Sequence, residues 1–223
     1  QNVHVWAIVI ATFGHSWIAV AIMVYTPTFM KTVLHLPTRY NAIYNSTTFI
    51  VIWSVALISG CLSDLCQKKK CISLTWNRKC FYLMGTLFPA IGFIGITYAE
   101  CNEYLVMTIM IAGFSTVGCY YPSVKVNPLD LSPNYASTIG ALAQMGASMA
   151  GVLVPYVFGL LTANGHMKEW RIVYTLSCVI SLIGGLTFLI FATAKQQPFN
   201  YYYADVLRGH STSSMSTMVL GKR

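Results

Sequence analysis

The amino-acid sequence predicts an all-α, polytopic membrane protein of six transmembrane helices. Three observations predict it. Only 9% of the 223 residues are charged while 56% are hydrophobic, and the mean hydropathy is +0.59. A soluble domain carries roughly 25% charged residues to wet its surface, so lipid must cover much of this one. Six apolar runs, at 5–30, 41–63, 80–99, 104–124, 135–162 and 172–194, hold no Lys, Arg, Asp, Glu or His apart from His15. Each is 20 to 28 residues long, and a helix rising 1.5 Å per residue needs about 20 to cross the hydrocarbon. The connections between runs are short, which predicts antiparallel helices that neighbour one another in sequence order, with both chain ends on one side.

Charge orients the spans. Of the 14 Lys and Arg residues, ten fall on one side, at 68, 69, 70, 78, 79, 125, 195, 208, 222 and 223. Lys31, Arg39, Lys168 and Arg171 fall on the other, accompanied by Glu100, Glu103 and Glu169. The positive-inside rule places the termini and the lysine loop in the cytoplasm. Because the cations sit in short loops, the net charge of +8 reflects this sidedness and not a nucleic-acid partner. The first run has no basic flank and is too long for a signal-peptide core, so it is read as a span. Residues 1–195 are thus expected to form the bundle and 196–223 a cytoplasmic tail, with tyrosines at 201–203 and a Ser/Thr-rich stretch at 211–217.

The seven cysteines have no paired spacing, which predicts no disulfide framework. Cys66, Cys71 and Cys80 surround the lysine loop without a CxxC or a nearby histidine, a weak pattern for zinc.

Within the fifth span Ala143, Ala147 and Gly151 recur every four residues, a small-residue stripe that lets a neighbouring backbone approach. Gly140, Gly146 and Pro155 loosen the same helix, and such breaks need cover from protein or a water-filled cavity. Static tight packing and bending during gating both fit. Gln144, an amide expected to be buried there, suits an interhelical hydrogen bond or a substrate contact.

His15 carries the ionisable side chain deepest within a span. Ionisable groups at membrane depth are costly and face a bundle interior or an aqueous path. Histidine can exchange a proton near neutral pH, and Thr12, Ala19, Ile22 and Thr26 continue a mildly polar stripe. A neutral histidine bonded to a neighbouring helix is the structural alternative.

Two end motifs complete the set. Gly60-Cys61-Leu62-Ser63-Asp64 closes the second span; the glycine permits a close crossing, and the acid opposes the helix dipole unless a cation answers it. Between spans four and five lies Asn127-Pro128-Leu129-Asp130-Leu131-Ser132-Pro133-Asn134-Tyr135-Ala136. Ser132 or Asn134 around Pro133 offers an N-cap, which leaves Asn127 and Asp130 unexplained.

At these residues the sequence resembles the major facilitator superfamily. Gly60-x-Leu62-Ser63-Asp64 is similar to its cytoplasmic loop motif, in the copy between the eighth and ninth helices. Asn127-x-Leu129-Asp130 with Pro133-Asn134-Tyr135-Ala136 resembles a more specific segment of the anion:cation symporters, the family of sialin, vesicular glutamate transporters and sodium-dependent phosphate cotransporters. Pro27 to Lys31, Asn77-Arg78-Lys79, Glu169-Trp170-Arg171 and Pro198 fit the same order. The likeness looks strongest to insect inorganic phosphate cotransporters. The chain departs from the family at Lys125, where a small or hydrophobic residue is usual, at Pro128, where His is usual, and at Gln144, where many members have Asn. His15 takes a position that is Arg in the glutamate transporters.

The resemblance implies the C-terminal half of a twelve-helix transporter, helices seven to twelve, whose substrate site lies at the midplane between two rocking halves. It implies symport of an organic or inorganic anion driven by sodium or protons, with a six-helix N-terminal half, a small anion and the bilayer as partners. No cofactor or enzymatic chemistry is implied. His15 and Gln144 are expected along the pathway, Asp64 with Arg78 at a cytoplasmic latch, and Gly60, Asn127, Asp130 and Pro133 as further gating or structural motif residues. The membrane would be the plasma membrane or a lysosomal or vesicular one. The alternatives are a truncated, non-transporting or dominant-negative chain, or a six-span channel, for which no filter-like motif is found.

Overall fold

A computed structural model of the chain describes residues 2–99 and 103–201. They form six long helices: α1 Val3–Thr32, α2 Thr38–Lys68, α3 Leu74–Tyr98, α4 Glu103–Leu131, α5 Pro133–Leu161 and α6 Met167–Phe191. All six are long and apolar enough to cross a membrane. The fold is all-α, and the protein is integral and polytopic. The helices run past the uncharged stretches into polar end turns. Local caps set their starts: the Asn2 side chain accepts from the His4 N–H at 3.0 Å, and Ser73 Oγ accepts from the Trp76 N–H at 3.4 Å. Asn164 Nδ2 donates to Glu169 Oε1 at 2.7 Å and closes the turn into α6.

Sequence neighbours are mostly not packing neighbours, contrary to the expectation from short connections. Across the bundle the order of intimate contact is α5, α1, α6, α3, α4, α2. Only α3 and α4 are adjacent both in sequence and along their length. This order is unchanged when α1–α3 are exchanged with α4–α6: α1 on α5 corresponds to α4 on α2, α1 on α6 to α4 on α3, and α3 on α6 to itself. Three antiparallel spans precede the second triplet, so the two triplets are inverted repeats. Glycine pairs mark the equivalent crossings. A Cβ on Gly14 of α1 would lie 3.5 Å from Gly184 Cα of α6, and one on Gly113 of α4 would lie 3.1 Å from Gly92 Cα of α3. Backbones that close give dispersion contacts, which hold helices together where lipid offers no hydrophobic drive.

The helix irregularities fall at corresponding places too. A π-helical turn, Ala21–Tyr25, interrupts α1 just before Pro27. α4 passes through a 3-10 turn, Thr116–Tyr120, into a π-helical turn, Tyr121–Lys125, that contains Pro122. A proline cannot donate its backbone bond, so the ladder rearranges around it. The fifth span is a continuous α-helix from Ala136 to Leu161 despite Gly140, Gly146 and Pro155. The irregular spans are the first and the fourth.

Beyond α6 the chain packs back onto the bundle. Residues 193–201 form a strap ending in the short turn Pro198–Tyr201, with Asn200 buried. The first part of the expected tail is therefore docked; the tyrosines at 202 and 203 and the stretch 211–217 lie outside the described residues.

Candidate functional site

The interrupted stretch of α4 forms one wall of a cavity of about 350 Å³, with Thr12 of α1 and the first turns of α5 opposite. Its polar lining is Thr12, Tyr120, Lys125, Ser137 and Gln144. Gly140 belongs to the same wall, and a Cβ there would meet nothing within 4 Å. Gln144 and Ser137 are exposed, so the expectation of a buried amide at Gln144 is corrected.

His15 does not line this cavity. It is 7% exposed and stands behind Tyr120, with ring centroids 3.7 Å apart and planes 6° from parallel. Tyr120 Oη in turn reaches Thr12 Oγ1 at 3.5 Å. The Nδ1 atom of His15 is buried without a hydrogen-bond partner. Geometry thus makes His15 the backing of a cavity ring. Sequence reading missed Tyr120, since one tyrosine among 14 carries no mark of its position.

At the end of the bundle that carries the lysine loop, Arg78 is the centre of a second cluster. Its Nε donates to Asp130 Oδ2 at 2.7 Å and its Nη2 to Asp130 Oδ1 at 3.4 Å. Its Nη1 donates to Pro122 O at 2.6 Å and to Ser63 Oγ at 3.3 Å. Asn77 Nδ2 donates to Ser63 Oγ at 2.9 Å, and Ser123 Oγ donates to Arg78 O at 2.5 Å. The Pro122 carbonyl lies in the irregular turn of α4 and accepts from the guanidinium. One planar cation thereby ties α2, α3 and α4 together. The Arg78 and Asp130 side chains are 7% and 14% exposed, so this is a largely desolvated pair.

The acid that answers Arg78 is thus Asp130. Asp64 is exposed, and its neighbour Ser63 enters the cluster instead. Nor does Gly60 make a close crossing, because a Cβ there would meet nothing within 4 Å. The tight contact of α2 is with Gly118, whose Cβ would lie 2.6 Å from Ile52 O.

The segment after α4 has its own partner, the strap. Asn127 Nδ2 donates to Thr193 O at 3.1 Å, and the Gln197 N–H donates to Leu131 O at 3.0 Å. Ser132 Oγ and the Asn134 N–H both donate to Asn200 Oδ1, at 2.8 and 3.1 Å. Ser132 and Asn134 therefore do not cap the helix beginning at Pro133; Asn200 receives them. The small-residue stripe is also displaced. Ala143, Gly146, Ala150 and Val154 are the buried face, and Gly146 would place a Cβ 2.9 Å from Val9 O. Ala147 is half-buried and Gly151 exposed with nothing within 4 Å. Among the described residues no three His, Cys, Asp or Glu side chains gather to hold a metal ion.

The fold and this cavity define a membrane-embedded six-helix unit of two inverted triplets with a polar pocket beside their interrupted helices. Against known proteins, the chain is 28% identical over 202 residues to sialin of Ovis aries, covering 88% of this chain and 40% of that one. It is 28% identical over 215 residues to a Drosophila ananassae protein named "Putative inorganic phosphate cotransporter", covering 95% and 44%. It is 30% identical over 200 residues to sodium-dependent phosphate transport protein 4 of Homo sapiens, covering 88% and 47%. No family model matches. The chain spans less than half the length of these curated relatives. It is distantly homologous to anion transporters of the major facilitator superfamily, and the identities single out no member, insect or other.

Proposed function

We propose that this chain is the C-terminal six-helix half of a twelve-helix secondary transporter that moves an organic or inorganic anion, coupled to sodium or protons. One observation carries the reading. Along α5, Ser137, Gln144, Ser148 and Gly151 are exposed on one side beside the cavity, away from the face buried on α1. Polar side chains and bare backbone turned to lipid are costly, whereas six more helices would cover them and close the cavity from its open side. The match to less than half the length of the anion transporters supports the same missing partner.

In this reading substrate meets Gln144, Tyr120 and Thr12, and His15 positions Tyr120. The Arg78–Asp130 pair holds the cytoplasmic end as one rigid piece during rocking. By the positive-inside rule that end faces the cytoplasm. The transporter resides in the plasma membrane or in a lysosomal or vesicular membrane.

The test is uptake of radiolabelled phosphate, sialic acid and glutamate by cells expressing the complete reading frame that contains this segment, with sodium and pH varied separately. Saturable uptake of at least one anion, abolished when its gradient is collapsed, is expected. Uptake indistinguishable from untransfected cells for every anion and gradient overturns transport and favours a non-transporting chain.

A further inference from the structure

We propose that Lys125 is the anion-pairing residue of this half, its ammonium group meeting the phosphate or carboxylate of an anion that enters the cavity between α1, α4 and α5. The inference rests on the transport reading above and adds the residue that supplies the charge.

Lys125 ends the π-helical turn of α4 and lines the cavity together with Thr12, Tyr120, Ser137 and Gln144. The lining contains no carboxylate. Asp130, the acid closest in sequence, is held by Arg78 at 2.7 Å. Among the described residues Lys125 has neither an ion pair nor a side-chain hydrogen bond, while every other polar group of the lining is a neutral hydroxyl or amide. The cavity therefore carries one uncompensated positive charge within walls that include Val124, Pro128, Leu129, Ala136 and Ala143. Low-dielectric walls focus the field of such a charge and raise the local concentration of anions. Three hydroxyls and an amide can then donate to the oxygens of the same ligand, giving charge-assisted contact to a group that neutral donors alone would hold weakly.

The rival source of that chemistry is a lipid headgroup, reached if the flexible lysine stem extends toward the membrane surface. The two sources differ in what they respond to.

The test is uptake by the full-length protein purified into vesicles of phosphatidylcholine alone and of phosphatidylcholine with phosphatidylglycerol. Wild type, Lys125→Arg, Lys125→Met and Lys125→Gln are compared using radiolabelled phosphate, sialic acid and glutamate. Loss of a charge-assisted contact is expected to raise KM for the transported anion roughly ten- to a hundredfold in both neutral variants. Maximal rate should stay within a few-fold, Lys125→Arg should stay near wild type, and the two lipid mixtures should agree. Unchanged KM in a neutral variant with wild-type thermal unfolding overturns the assignment. A variant effect confined to vesicles containing phosphatidylglycerol overturns it in favour of a headgroup. Absence of wild-type uptake in every vesicle defeats the transport reading first, and this inference with it.

Discussion

His15 lies flat on Tyr120, with ring centroids 3.7 Å apart and planes 6° from parallel, and it is Tyr120 that faces the cavity. Stacked aromatic pairs contribute about 0.5–1.5 kcal/mol beyond their area. The stack fixes where the Tyr120 hydroxyl points, so a buried residue of α1 controls a surface on α4.

His15→Phe is expected to keep the stack and most of the uptake, and His15→Ala to lose both orientation and apparent affinity. Kinetics across pH 5 to 8 separate packing from proton transfer. If His15→Phe retains the wild-type rate at neutral pH with an unchanged pH profile, the ring acts by position alone. A flattened profile assigns it a proton role.

The Arg78–Asp130 pair makes a different prediction. Removing one partner of a buried pair leaves a charge without compensation, at a cost of about 3–5 kcal/mol. Asp130→Asn is expected to lower the thermal unfolding midpoint sharply and to reduce the yield of folded protein. Asp64→Asn, at an exposed position outside the cluster, should change stability by about 0.5 kcal/mol or less. Equal effects of the two substitutions would show that Asp64 also serves the latch.

Backbone approach makes a third. A Cβ on Gly118 or Gly146 meets main-chain oxygens at 2.6 and 2.9 Å, so Gly118→Ala and Gly146→Ala should each destabilise by about 1–3 kcal/mol. Gly60→Ala and Gly151→Ala face open space in this chain and should leave its unfolding unchanged. If Gly151→Leu nonetheless abolishes uptake while the protein stays folded, the face it occupies meets another part of the transporter.

The strap is tied through Asn200 to Ser132 and Asn134. Asn200→Ala leaves these donors unmatched, and each buried unmatched group costs about 1–3 kcal/mol. The expected result is faster hydrogen exchange over 193–201 and over 127–135, with the six helices still protected. Unchanged exchange in both segments would show that the strap is held by other contacts.

The six helices were legible because charge is nearly absent from runs long enough to cross a bilayer. Their packing order was not, since hydropathy records that a residue is covered and not which helix covers it. Ala143 is buried on the face of α5 that meets α1, but Ala147 and Gly151 rotate off it. Steps of four residues advance about 40° around a helix each time, whereas the observed face, Ala143, Gly146, Ala150 and Val154, takes a step of three after Ala143 that brings it back toward α1. Gln144 stood out as an amide in an apolar run, and it does border the cavity. His15 stood out for the same reason, yet its partner Tyr120 could be identified only from three dimensions. At the bundle end, Asp64 is the acid of a sequence motif, while Ser63 beside it makes the contacts. Asn127 and Asp130 resisted explanation as helix caps because their partners, Thr193 and Arg78, lie 66 and 52 residues away in sequence.

In the function proposed above, the cavity beside α1, α4 and α5 is part of an anion pathway. Gln144→Cys, in a background with the native cysteines replaced, tests it through the rate of modification by a membrane-impermeant methanethiosulfonate reagent, with and without the transported anion. The cysteine should be modified, uptake should fall in step with modification, and saturating anion should slow the reaction several-fold. Modification at the same rate with and without anion, leaving uptake intact, would contradict it.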